Sequence, residues 1–95
     1  MNPEAELAKC RARIDEVDLR LLALLNERTK IAQEIGQIKQ AGSLPVYEPK
    51  REDFVYQNVT TNNQGPLPND AVRRVFERII DEMRKVQRDR MEKNA

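Results

Sequence analysis

Arg28 stands in an otherwise apolar row, and Lys39, Glu48, Glu52 and Gln87 are further polar groups where the pattern calls for a core or a helix start. The row runs Leu7, Cys10, Ile14, Val17, Leu21, Leu24, Arg28, Ile31, Ile35 and Ile38, the spacing of a seam that packs against other helices. A guanidinium keeps its charge at any relevant pH, so burying it is costly unless an anion sits opposite. Either a protein carboxylate or a bound ligand must supply that anion. Lys39 follows Arg28 by about three helical turns plus roughly 20°, so the two cations share a face with their backbones ~16 Å apart. Leaning together, they can grip opposite ends of one small dianion; the plainer reading is two cations reaching out to water. Arg11 lies ~25 Å before Arg28 and points about 100° away. Only an antiparallel copy of the helix would bring Arg11 of one chain to Arg28 of another, and otherwise Arg11 is a solvated arginine near a helix start.

Glu48, Arg51 and Glu52 sit where a second helix should begin, so backbone amides and side chains can gather there around a polar ligand, or simply cap the helix and pair at the surface. Gln87 falls on a stripe with Phe76, Ile80 and Met83, which aims its amide at the core. A buried amide needs a partner, either an uncharged acceptor on a ligand or a group on another helix. Histidine is absent and cysteine occurs once, which removes the commonest general base and leaves no zinc cluster. Cys10, on the seam, is expected as a small buried hydrophobe in a reducing compartment. Phosphate loops, nucleophile elbows and dinucleotide fingerprints are missing from the sequence. Chemistry built from Arg, Lys, Glu, Asp and amide groups, with no cofactor, suits binding and electrostatic stabilisation better than hydrolysis. A formal charge of +1 offers no field for nucleic acid or an anionic membrane. With no apolar run near ~18 residues and no signal-peptide pattern, the chain is expected to be cytoplasmic.

The elements follow from these patterns. Asn2 as N-cap, Pro3 at the first position and Glu4 and Glu6 in the first turn start a helix that runs to about Ala41, where Gly42 and Pro45 end it. A second helix should run from Pro49 to about Thr61 with Phe54, Val55 and Val59 towards a core. A third runs from Pro68 or Asn69 to near Glu92, with Val72, Val75, Phe76, Ile79, Ile80, Met83 and Val86 on one face. The segment from Arg84 to Arg90 reads as a solvated basic face. Ninety-five residues make one domain, 1–95, with no room for a second catalytic domain. A first helix of ~58 Å exceeds the ~32 Å diameter of a globule this size. The expected fold is therefore all-α, three helices per protomer with one very long, in an intertwined homodimer.

Taken in order and at their spacing, several segments resemble the all-helical, AroQ-class chorismate mutases. They are Arg11 with Ile14-Asp15-Glu16-Val17-Asp18, Leu21 through Arg28, Ile31 through Lys39, Pro45-Val46-Tyr47-Glu48 leading to Arg51-Glu52, and Phe76 through Gln87. The resemblance covers nearly the whole length. It implies that chorismate rearranges to prephenate at two sites of an entwined dimer, in aromatic amino-acid biosynthesis. By position, Arg28 would pair with one substrate carboxylate and Arg11 of the other protomer with a carboxylate as well. Lys39 would contact a carboxylate and the ether oxygen, and Gln87 would donate to that oxygen. Glu52 and the chain at Glu48 would hold the ring hydroxyl, with Arg51 lining the pocket. Glu48 stands where a shorter Asp is common, and Met83 stands where a hydroxyl residue often helps bind a carboxylate.

A unimolecular Claisen rearrangement needs no nucleophile, metal or cofactor, which fits a chain without histidine. The competing readings are an isochorismate pyruvate lyase, which uses a similar cationic pocket, and a non-catalytic helical dimerisation module.

Overall fold

The computed structural model describes residues 2–93, which form three helices: α1 (Pro3–Ala41), α2 (Pro49–Thr61) and α3 (Asn69–Lys93). At the start of α1, Asn2 Oδ1 accepts from the N–H groups of Glu4 at 3.1 Å and Ala5 at 3.4 Å. Two of the four amides that a helix start leaves unpaired are thereby satisfied, and Glu4 and Glu6 place negative charge at the positive end of the helix dipole.

α1 ends at Ala41 as expected, but the residue that turns the chain is Ser43 and not Gly42. Gly42 N–H still bonds to Ile38 O at 3.0 Å, and the left-handed residue is Ser43, with φ of 53°. Ser43 N–H reaches Gln40 O at 3.2 Å and Leu44 N–H reaches Lys39 O at 2.7 Å, the paired bonds of a Schellman turn. The Leu44 side chain folds back over the turn, where a Cβ on Gly42 would touch it at 3.5 Å.

The chain divides into two compact units, one up to Ile31 and one from Ala32 onward. The first is helix alone, and Leu7, Ile14, Val17, Leu21, Leu24 and Ile31 are all exposed on it. Cys10 is exposed too, against the expectation of burial, because a lone helix has nothing within its own unit to cover an apolar face.

In the second unit, the end of α1 turns Ala32, Gly36 and Lys39 inward, at spacings of four and three, and leaves Ile35 and Ile38 exposed. α2 buries Tyr56 and half-buries Val55 and Val59, whereas Phe54 is exposed. Phe54 is about 200° round the helix from Tyr56, so only one of the two can face inward. α3 buries Val72, Ile80, Met83 and Gln87. Val75, expected on this face, lies about 100° from the stripe's centre and is exposed. Burying such aliphatic side chains stabilises by roughly 1.5–3 kcal/mol each when complete.

Between α2 and α3, the Asn63 amide donates to Leu67 O at 2.7 Å and Asn69 Oδ1 at 2.8 Å, and its own Oδ1 accepts from Gly65 N–H at 3.1 Å. Gly65 takes a φ of 71° here, and the Gly65-Pro66 peptide is cis. Among the described residues, no helix is long and apolar enough to cross a membrane.

Candidate active site

Lys39 and Gln87 meet in the second unit. Lys39 is 7% and Gln87 9% exposed, the two buried polar side chains among the described residues. Of the ammonium's three donors, two are hydrogen-bonded, to Val46 O at 2.8 Å and to Gln87 Oε1 at 3.0 Å, and the charge is paired with Glu48 Oε1 at 3.2 Å. The turn after α1 makes this possible. Lys39 O holds Leu44 N–H, which reverses the chain so that Val46 and Glu48 return over the lysine's own side chain.

Glu48 occupies the N-cap position of α2 but makes no side-chain cap. Pro49 follows at the first turn, where its missing N–H costs nothing, and the Glu48 carboxylate is left to face Lys39. With 43% of the Glu48 side chain exposed, this is the partner most easily exchanged for another anion. Gln87 shows a complementary polarity: its oxygen is committed to Lys39, which leaves its NH2 as the group available to donate to a ligand.

Glu52, one turn into α2, pairs with Arg84 of α3, Nε to Oε2 at 2.9 Å. That nitrogen is buried and lacks the alignment of a hydrogen bond. The same guanidinium donates to Asp81 Oδ1 at 2.5 Å and lies 5.6 Å from the centre of the Tyr47 ring. Reading Arg84 as part of a solvated basic face is therefore corrected: only 26% of its side chain is exposed. The signal for it was available, since Arg84 follows Met83 at the edge of the buried stripe. Met83 is buried, as its place on the stripe predicts. Arg51 is exposed, its guanidinium over the Phe54 ring at 5.1 Å.

The buried Tyr56 phenol is pushed above its ordinary 10.0, first by burial and then by the negative charges of Glu52 and Glu77, against a smaller pull from Arg73. Arg73 lies over its ring at 4.2 Å. Arg11 and Arg28 belong to the first unit, Arg11 exposed and Arg28 half-buried. Among the described residues, no group of three or more His, Cys, Asp or Glu is placed to hold a metal ion.

The fold is an all-helical domain in which a buried lysine and amide meet, with the Glu48 carboxylate at the lysine. The chain belongs to the chorismate mutase type II family, whose model matches residues 10–88. It is 41% identical over 75 residues to a bifunctional chorismate mutase/prephenate dehydratase of Neisseria gonorrhoeae, covering 79% of this chain and 20% of that protein. Among solved structures it resembles chorismate mutase (Form II) from Thermus thermophilus, with a TM-score of 0.85 and 32% identity over 87% of this chain and 94% of that one. It also resembles chorismate mutase from Helicobacter pylori in complex with prephenate, with a TM-score of 0.86 and 30% identity over 93% and 96% of the two chains. The chain spans about a fifth of the length of the bifunctional relatives it matches.

Proposed function

We propose that this chain catalyses the rearrangement of chorismate to prephenate and works as an entwined homodimer in which Arg11 reaches the partner's site. The observation that carries the reading is the buried Lys39–Gln87 contact, which holds a cation beside an amide whose NH2 is not spent on that contact. In this reaction the ether C–O bond breaks as a C–C bond forms, and the oxygen gains negative charge on its way to becoming a ketone. Lys39 and Gln87 Nε2 strengthen their hold on that oxygen as its charge grows, which is the differential binding that lowers a barrier.

The remaining roles follow from the substrate's two carboxylates. Arg28 and the partner's Arg11 oppose the dianion's self-repulsion and favour the compact, chair-like conformer. The substrate takes the place of the Glu48 side chain on Lys39, presenting a carboxylate and the ether oxygen to the same ammonium. Glu52, held by Arg84, accepts from the ring hydroxyl, with the backbone at Glu48 beside it, and Arg51 and Met83 line the pocket. The exposed row from Leu7 to Ile31 supports the dimer: an apolar stripe of that length is covered in a stable protein, and a second copy of the same helix is self-complementary to it.

A continuous assay of the purified chain tests the reading by following loss of chorismate absorbance and formation of prephenate. Turnover to prephenate is expected. Release of pyruvate from isochorismate without prephenate, or no reaction with either compound, would defeat it.

A further inference from the structure

We infer that Gly36 is a positioning residue: the absence of a side chain there lets the backbones of α1 and α3 meet, and this approach sets the reach from Lys39 to Gln87. A Cβ at Gly36 would stand 3.2 Å from Gln87 Cα and 3.2 Å from Gln87 O. Both are backbone atoms, so neither can swing aside as a side-chain tip would, and α3 itself must give by a few tenths of an ångström. Gly36 lies one turn before Lys39 on the same buried face of α1, and the residue it touches is the one that Lys39 binds.

Contacts just beyond Gly36 on both helices keep the shift from being absorbed by sliding. With the Gln37 amide turned to match its neighbours, its Oε1 accepts from the Arg90 guanidinium, and Gln40 Nε2 donates to Met91 O at 2.9 Å. They hold the two helices in register, so added bulk at position 36 separates them at Gln87 and does not slide one along the other. The contact from Lys39 Nζ to Gln87 Oε1, now 3.0 Å, lengthens, and the amide that donates to the reacting oxygen is displaced. Misplacement of a catalytic donor on the ångström scale costs up to about a hundredfold in rate.

This inference rests on the proposed mutase reading, and its test separates the two. The Gly36→Ala chain should stay helical and folded, because alanine's better helix propensity offsets part of the contact. Its kcat should fall roughly 10- to 100-fold while KM changes less than about threefold. In a Gln87→Ala background the same substitution should change kcat by less than about twofold, since no amide remains to be misplaced. Equal losses in both backgrounds, a loss confined to KM, or unfolding of Gly36→Ala at 25 °C would each overturn the proposal. An inactive wild-type chain would defeat the mutase reading instead. The Gln87 side-chain amide resonances, which need no turnover, would then still have to move in Gly36→Ala, and unmoved resonances would overturn the positioning role.

Discussion

Lys39 Nζ donates to Gln87 Oε1 at 3.0 Å across 48 positions of sequence, and this one bond orients both groups. It points the amide's NH2 away from the cation, and it holds an ammonium in a core where an unpaired charge would be strongly unfavourable. The bond thus stabilises the free protein and, in the proposed reaction, presets the donors for the ether oxygen.

Replacing Lys39 tests the charge. Lys39→Ala should lower kcat by a hundredfold or more, equivalent to losing ~3 kcal/mol of transition-state stabilisation. Helical content and association should persist, since Ala32 and Gly36 still pack inward. Far-UV circular dichroism and sedimentation alongside the assay check both halves, and near-normal turnover would refute the role given to Lys39.

Replacing Gln87 with an acid tests the neutral donor. An amide holds its N–H at every pH, so the wild-type rate should not collapse above pH 6. In Gln87→Glu the new carboxyl sits 3.0 Å from an ammonium by the present geometry, which favours its ionised, acceptor-only form. That variant donates only when protonated, so its activity should rise as pH falls. Rate profiles of the two proteins with the same shape would exclude the assignment.

The sequence carried the elements well because their ends are chemical: Asn2, Pro3 and Pro49 mark starts that the structure keeps within a residue. Gln87 was legible for a related reason, since an amide at the spacing of Phe76, Ile80 and Met83 can only point inward. Tertiary contacts were harder to read. Glu48 looks like a capping acid until the turn at Ser43 is known to bring it back over Lys39. Arg84 looks like one more cation in a basic tail until α2 places Glu52 opposite it. Phe54 and Tyr56 compete for one face, and periodicity over a 13-residue helix is too short to choose between them.

Ser43 carries a testable backbone cost. Its φ of 53° is a conformation that glycine adopts freely and L-residues do not. Ser43→Gly should raise stability by about 0.5–1 kcal/mol, the relief at the turn exceeding the extra freedom glycine gives the unfolded chain. Urea denaturation at a fixed protein concentration measures it, and a lower midpoint would show that the hydroxyl matters more than the backbone.

Tyr56 gives the pH dependence a direction. Above pH 10.0 the unfolded phenol loses its proton while the folded one, raised by burial and by Glu52 and Glu77, keeps it. The folded state then binds more protons, so the stability that Tyr56 contributes is complete below pH 10.0 and is lost as pH rises through the folded value. Relative to Tyr56→Phe, the wild-type urea midpoint should hold steady up to about pH 9 and decline beyond it. Midpoints that stay parallel across the alkaline range would mean that the phenol is not perturbed.

Mixing two inactive chains tests whether Arg11 serves the partner's site. Arg11→Ala and Lys39→Ala should each be severely impaired alone. When the two are unfolded together in equal amounts and refolded, half of the dimers pair one of each. In such a dimer one site carries both defects, and the other combines Lys39 of the Arg11→Ala chain with Arg11 of the Lys39→Ala chain. That second site is intact, so activity should return to roughly a quarter of the wild-type value. If Arg11 acted within its own chain, every site in the mixture would keep one defect, and no mixing ratio would restore turnover.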